Sequence, residues 1–410
     1  MSGEMVIVGA GECGARAAFA LRECGYDGAV TLIGKEPHFP YERPPLSKEA
    51  IQGKDDVRPK LVAEPERYAD AGIAVMLSAP VVGIDRAERR IAMADGRAIA
   101  YDRLLLATGC SPRRLPMAGE GPRVAYLRSL GDARAIAARL ASGARLAVVG
   151  GGFIGLELAA SARKRGAGVT VIEAQPRILM RGVPAGIAER VRLLHEGQGV
   201  EILCGSGIER IEELPDAVTI RLAGGRTIEA DLLLIGIGAV PNVALAEAAG
   251  LALDNGIAVD ATLATSDPAI FAAGDCCAFP LAAHGGRRVR LESWRNAQEQ
   301  GALAAGNMLG RAEPHGAVPW FWSDQYDHTL QIAGLPDPDA QCVRRDLADD
   351  AFILFQLAQD GRLAAAGGIG PGNAVARDIR LAEMLIGKGA RLDPASLRDP
   401  GIKLKSLLAD

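Results

Sequence analysis

Met5-Val6-Ile7-Val8-Gly9-Ala10-Gly11-Glu12-Cys13-Gly14 and Leu146-Ala147-Val148-Val149-Gly150-Gly151-Gly152-Phe153-Ile154-Gly155 are two copies of one pattern, and their reading decides the fold. In each, an apolar run of strand type leads into three spaced glycines. The first copy continues as an alanine-rich helical stretch to about Cys24, a strand-like run Ala29–Ile33, then Lys35 and Glu36. The second continues as a helical stretch Leu156–Arg165 and a strand Gly168–Ile172 that ends in Glu173. The first glycine (Gly9, Gly150) makes the tight turn out of the strand, the second (Gly11, Gly152) lets the backbone approach a pyrophosphate, and the third (Gly14, Gly155) lets the helix pack on the strand. Phosphates then sit over the helix N-terminus, which Phe153 and Ile154 open in the second copy. An acid about 20 residues on accepts from an adenosine ribose. One glycine motif alone is weak; two complete strand–helix–strand–acid units in one chain leave little room for coincidence.

Two further segments echo each other. Leu104-Leu105-Leu106-Ala107-Thr108-Gly109 follows a hairpin with its turn at Asp95-Gly96, and Leu232-Leu233-Leu234-Ile235-Gly236 follows another with its turn at Gly224-Gly225. Each is an apolar run of the kind a buried parallel strand requires, closed by glycine where the chain nears a ligand. Ile270–Ala273 reads as a short strand ending in Gly274-Asp275, a position suited to binding ligand hydroxyls. From about Pro319 the composition changes. All three tryptophans lie at 294, 320 and 322, Ala351–Ala358 and Leu363–Ile369 read as strands, and Asn373–Leu385 reads as an amphipathic helix.

Composition sets outer bounds. The 410 residues suffice for two to four domains, and 49 % hydrophobic with 23 % charged residues is globular chemistry rather than disorder. The net charge of −4 argues against a nucleic-acid protein. No apolar stretch reaches the ~20 residues that span a bilayer, and the opening Met-Ser-Gly-Glu has no basic leader, so the expectation is a cytoplasmic protein without membrane contact. The seven cysteines have no metal-binding spacing, so no metal is expected, and the adjacent Cys276 and Cys277 are read as buried free thiols.

Together these residues resemble the flavoproteins of the glutathione-reductase-like fold. The resemblance implies an α/β chain with two Rossmann-like dinucleotide-binding domains, FAD at 1–108 with 238–317 and NAD(H) at 109–237, plus a small C-terminal α+β interface domain at 318–410. Pro40-Tyr41-Glu42-Arg43-Pro44-Pro45-Leu46-Ser47-Lys48, Arg290-Leu291-Glu292-Ser293-Trp294-Arg295-Asn296-Ala297 and Pro319-Trp320-Phe321-Trp322-Ser323-Asp324-Gln325 narrow it further. Through them the chain resembles, end to end, the ferredoxin reductases that serve Rieske ring-hydroxylating dioxygenases and bacterial cytochromes P450, enzymes of aromatic hydrocarbon catabolism among them. That implies FAD bound by Gly9, Gly11, Gly14, Glu36, Arg43, Pro45, Lys48, Thr108, Gly109, Asp275, Glu292, Ser293, Trp294 and Trp320. It implies NADH bound by Gly150, Gly152, Phe153, Ile154, Gly155, Glu173, Arg181 and Gly236. Lys48, Glu157 and Trp320 are the implied catalytic residues, with Glu157 pairing with Lys48 and Trp320 beside the flavin. Trp322 is expected in core packing.

The same fold hosts several chemistries. Disulfide reductases need a cysteine pair where this chain has Pro44-Pro45-Leu46-Ser47, and no cysteine occurs between Cys24 and Cys110. Without a thiol relay, electrons taken from NADH must leave for an external carrier. The implied partner is a [2Fe-2S] ferredoxin feeding an oxygenase, with the reductase a monomer or weak homodimer. Arg287, Arg288 and Arg290, Arg344 and Arg345, and Lys403 and Lys405 are candidate clusters for a basic docking rim. Glu173 implies NADH over NADPH, with Arg177 and Arg181 placed to reach the dinucleotide. The competing readings are an NADH-dependent peroxide, quinone or dehydroascorbate reductase, and a flavoprotein that uses NADH as a signal.

Overall fold

The computed structural model describes residues 3–53, 57–337 and 339–408. The chain divides into two compact units, one of Met1–Arg43, Pro59–Ser111 and Val240–Ala317, the other of Pro44–Arg58, Pro112–Ala239 and Val318–Asp410.

The first unit is built on a parallel five-stranded sheet in the order Ile270–Ala272, Arg103–Leu106, Glu4–Val8, Ala29–Ile33, Ile73–Met76. Val6, Ile7, Leu32 and Leu104 to Leu106 are fully buried, as strands covered on both faces must be. Helix Glu12–Glu23 carries four alanines and buries Ala15, Ala17 and Ala18. Its neighbour, helix Trp294–Met308, comes so close that a Cβ on Gly301 would collide with the Cys13 carbonyl oxygen. The hairpin expected around Asp95-Gly96 joins Arg90–Met93 to Ala98–Ala100.

The second unit repeats the plan. Its parallel sheet runs Val200–Leu203, Gly168–Ile172, Arg145–Val149, Leu232–Ile235, Val124–Ala125. The Gly224-Gly225 turn joins Val218–Leu222 to Thr227–Ala230 in a separate antiparallel sheet. The C-terminal part is an antiparallel sheet in the order Trp320–Gln325, His328–Gly334, Leu363–Pro371, Phe352–Leu357, Gln341–Asp346. Helix Ala376–Gly387 lays Ile379, Ala382, Leu385 and Ile386 against Val343, Ile353, Phe355 and Ala366. Helix Ala185–Gly197 belongs to the same unit through Ile187 and Val191, which pack with Leu330, Ile332, Leu354 and Ile369.

The division differs from the one read off the sequence, which kept 44–58 with 1–108 and set 318–410 apart. Pro44–Arg58 goes with the second unit because its backbone is used there. Ser161 Oγ donates to the Ser47 carbonyl at 2.7 Å, Arg165 donates to the Ile51 carbonyl at 2.7 Å, and Gln52 donates to Ser161 at 3.1 Å. Among the described residues, no helix is long and apolar enough to cross a membrane, and no group of His, Cys, Asp or Glu could hold a metal ion.

Candidate nucleotide and redox sites

In the first unit the turn out of Glu4–Val8 shows why each glycine is there. Gly9 has φ +120°, and a Cβ on it would collide with the Ala107 carbonyl oxygen. A Cβ on Gly14 would collide with the carbonyl oxygen of Gly9 itself. A Cβ on Gly11 would meet nothing within 4 Å. Two glycines therefore serve packing, while the middle one leaves the helix N-terminus open to a phosphate. Nearby polar groups also call for a ligand. Asn296 Nδ2 and Gln300 Nε2 are buried without a hydrogen-bond partner, on the helix packed against Glu12–Glu23, and buried amides normally find one. Glu12, in the first turn, has its pKa raised by burial, against the hydrogen bond from Gln298 at 2.7 Å.

Glu36 lies three residues beyond Ala29–Ile33 and accepts from the Tyr41 hydroxyl at 2.6 Å and from Arg43 at 2.8 Å. Burial alone would raise its pKa, but Arg43 and Tyr41 outweigh it and hold the carboxyl below the ordinary range. The structure thus couples two residues of the implied FAD-binding set. Thr108 and Gly109 follow Arg103–Leu106 after Ala107, beyond the C-terminal end of that strand. Thr108 donates to the Asn242 carbonyl at 2.7 Å, and Asn242 returns a bond to the Thr108 carbonyl at 2.8 Å. Asp275 sits in the turn Gly274–Cys276, with Cys110 Sγ 3.3 Å from its carboxylate. Glu292 pairs with Arg290 at 2.7 Å, and Ser293 caps helix Trp294–Met308 by accepting from Asn296 N–H at 3.2 Å.

The second unit carries the same turn. A Cβ on Gly150 would collide with the Gly236 carbonyl and one on Gly155 with the Gly150 carbonyl, whereas one on Gly152 has nothing nearer than 3.9 Å. Phe153 and Ile154 open the helix, with Ile154 exposed and Phe153 edge-on to Phe321. Glu173 accepts from the N–H groups of Gly151 and Gln175, each at 2.7 Å. Arg181 lies alongside Gly238. Arg177 turns away, donating to the carbonyls of Ile178, Leu179 and Val183.

Also in the second unit, Lys48 lies 3.5 Å from Glu157 and 3.2 Å from Asp324. Glu157, whose side chain is only 8 % exposed, accepts further from Ser47 at 2.5 Å and Ser323 at 2.6 Å. Burial raises its pKa against the opposing pull of Lys48 and the two hydroxyls. Pro45 lies in the 3-10 turn Pro44–Ser47 that delivers Ser47 and Lys48. Trp320 stacks on Trp322 at 5.5 Å and packs partly on the C-terminal core.

Some expectations are corrected. Trp322 is not core: it is partly exposed, bonds Asp324 at 3.1 Å and lies 5.6 Å under the Lys48 ammonium. Arg345 is 2 % exposed and donates to the carbonyls of Leu397 and Ser396, so it cannot belong to a docking rim. Arg290 and Arg288 are likewise engaged with backbone carbonyls and with Glu292 and Asp254. Cys276 and Cys277 are buried free thiols. Sequence reasoning missed Ser47, Asn242, Ser323, Gln325 and His195. Ser323 and Gln325 did carry a signal, because alternation along Trp320–Gln325 puts both on the buried face of a strand, where polar residues need a reason.

Residues 3–301 match the family model of the pyridine nucleotide-disulphide oxidoreductases, and residues 320–408 match the reductase C-terminal domain. The chain is 42 % identical to the anthranilate 1,2-dioxygenase system ferredoxin–NAD(+) reductase component of Burkholderia cepacia, covering 98 % of each. It is 39 % identical to rhodocoxin reductase of Rhodococcus erythropolis over 99 % of this chain and 94 % of the relative. Its fold superposes on the reductase of a covalent putidaredoxin reductase–putidaredoxin complex with a TM-score of 0.93, at 36 % identity, covering 99 % of this chain and 98 % of that one.

Proposed function

The chain belongs to the pyridine nucleotide-disulphide oxidoreductase family and carries its reductase C-terminal domain, and on that premise we propose that it is an FAD-dependent NADH:ferredoxin reductase. It would pass electrons from NADH to a [2Fe-2S] ferredoxin that feeds an oxygenase, in the cytoplasm. The observation that carries this reading is the match to a ferredoxin–NAD(+) reductase component over 98 % of each chain.

The chemistry follows from what the residues can do. The flavin, when bound, supplies acceptance of a hydride and release of its two electrons one at a time. Gly9, Gly11 and Gly14 would seat its pyrophosphate, Glu36 its adenosine ribose, and Asp275 its ribitol hydroxyls. Gly150, Gly152 and Gly155 would seat the NADH pyrophosphate. Glu173, fixed by two backbone N–H groups, would accept from the ribose 2′-OH and repel a 2′-phosphate. Lys48, held between Glu157 and Asp324, provides the ammonium that we assign to stabilising negative charge on the reduced ring. Trp320 is assigned to the exit of electrons. No step is assigned to the thiols, six of which are buried or half-buried and none of which is in a disulfide.

The test is anaerobic stopped-flow reduction by NADH followed by mixing with [2Fe-2S] ferredoxins. Fast flavin bleaching and fast one-electron transfer are expected. Bleaching followed by reoxidation with quinone or peroxide, but with no ferredoxin, would replace this reading with that of a small-molecule reductase.

A further inference from the structure

Glu157 ends a line of hydrogen bonds that crosses the second unit. The Tyr326 hydroxyl lies 3.1 Å from His195 Nδ1, and His195 Nε2 lies 2.9 Å from Gln325 Oε1. Gln325 Nε2 lies 2.9 Å from Ser323 Oγ, which lies 2.6 Å from Glu157 Oε1. His195, Gln325 and Ser323 are 0 % exposed, so bulk water does not compete for these bonds.

The direction of the line follows from its protons. An ionised carboxylate only accepts, so Ser323 spends its one proton on Glu157 and must accept from the Gln325 amide. The Gln325 oxygen then faces His195, which must carry its proton on Nε2 and accept from Tyr326 on Nδ1. The imidazole is neutral, since burial, opposed by Gln325, lowers its pKa to about 4. Every dipole points toward Glu157. A line of this kind either relays protons or fixes a charge. Relay through Gln325 would need an imidic acid at each passage, because an amide has no proton to release at neutral pH. That leaves charge fixing.

We propose that Tyr326, His195, Gln325 and Ser323 form a one-way line of dipoles that keeps Glu157 ionised and aimed at Lys48, which makes His195 and Gln325 positioning residues for that pair. Its bearing on electron transfer rests on the proposed function; the line itself does not.

The opposition it meets is specific. The charged groups facing Glu157 are Lys48, which follows the Pro44–Ser47 turn and favours the ionised form, and Asp324 on strand Trp320–Gln325, which disfavours it, as burial does. The neutral acid also has a partner ready. Ser47 Oγ lies 2.5 Å from Glu157 Oε2 and 3.3 Å from the Pro44 carbonyl, so it can accept from a protonated Glu157 and turn its own proton to Pro44. Hydrogen bonds to the charged form weigh the other way, and the line from Tyr326 supplies one that is pre-aimed. At the far end, Arg163 opposes the burial that raises the Tyr326 pKa, and Lys164 donates to the Tyr326 carbonyl at 3.4 Å.

Two readouts on the flavin-loaded protein test this without turnover. Histidine 15N NMR, with His195 assigned from His195→Gln, is expected to show the neutral Nε2–H tautomer; the Nδ1–H tautomer would overturn the proposal, because it reverses every link. Isotope-edited infrared spectroscopy, referenced to Glu157→Gln, reads the pH at which Glu157 protonates. Ser323→Ala and Tyr326→Phe are expected to raise that midpoint by about one unit, a tenfold change in the ratio of the two forms. His195→Gln keeps a donor toward Gln325 and is expected to leave it in place. An unmoved midpoint in both Ser323→Ala and Tyr326→Phe, or an equal rise in His195→Gln, would overturn the proposal. An intact line in a protein that reduces no ferredoxin would count against the proposed function alone.

Discussion

Gly151 N–H donates to Glu173 Oε2 at 2.7 Å, tying the acid at the end of Gly168–Ile172 to the glycine turn that opens the next helix. The residue proposed to select the coenzyme is therefore also part of the turn. Glu173→Ala is expected to raise the KM for NADH roughly tenfold, the effect of losing a hydrogen bond to a charged group. It is also expected to reduce the preference over NADPH, because the repulsion of a 2′-phosphate goes with it. Steady-state kinetics with both coenzymes decide this, and an unchanged NADH/NADPH ratio would show that the specificity lies elsewhere.

The two glycine types of the first turn should separate by experiment. Gly14→Ala places a methyl group on the Gly9 carbonyl, and Gly11→Ala places one in open space. The first is expected to lose flavin and stability together, by about 2 kcal/mol or more. The second is expected to keep its melting temperature without flavin and lose only flavin affinity. Flavin absorbance per protein and thermal unfolding of the apoprotein are the measurements.

His315 is buried against the edge of Phe279 and its pKa is pushed down to about 4 by burial. A base with a depressed native pKa binds its proton more readily when unfolded. Its contribution is intact above the ordinary value of 6.5 and is lost as pH falls toward 4. The full loss is of the order of 3 kcal/mol. Glu12 and Glu157, with raised values, act in the opposite sense in part of this window, so the comparison must be between variants. His315→Leu is expected to flatten the fall in melting temperature between those two pH values relative to the parent. An unchanged slope would mean that His315 is already protonated in the native protein.

Arg345 serves the C-terminal fold. Its guanidinium donates to Leu397 and Ser396 carbonyls and lies 5.8 Å over Phe355. Arg345→Ala is expected to destabilise the protein by about 2–4 kcal/mol, since it leaves carbonyls without donors. The salt dependence of ferredoxin reduction is expected to stay that of the parent. A shallower salt dependence with unchanged stability would restore Arg345 to the docking rim.

What could be read in the sequence was what depends on near neighbours along the chain. The missing Cβ of Gly9, Gly14, Gly150 and Gly155 acts over a few residues or onto the adjacent strand, so spacing alone announces both turns. The Lys48–Glu157 pair came from motif resemblance, and the two residues do lie 3.5 Å apart. The line behind Glu157 was hidden as a whole because His195 and Glu157 come from segments distant from Ser323, Gln325 and Tyr326, and no spacing along the chain links them. Arg345 was misread because charge was weighed above alternation. Along Gln341–Asp346 it falls on the inward face with Val343, and the carbonyls of Ser396 and Leu397 accommodate it there.

That same strand has a practical consequence. Gln341–Asp346 is the outer strand of its sheet, and its outward residue Cys342 is the exposed cysteine of the seven. The native chain therefore carries its own attachment point. A maleimide dye or spin label applied briefly should mark Cys342 ahead of every other thiol, giving a reporter on the C-terminal sheet without any engineered cysteine.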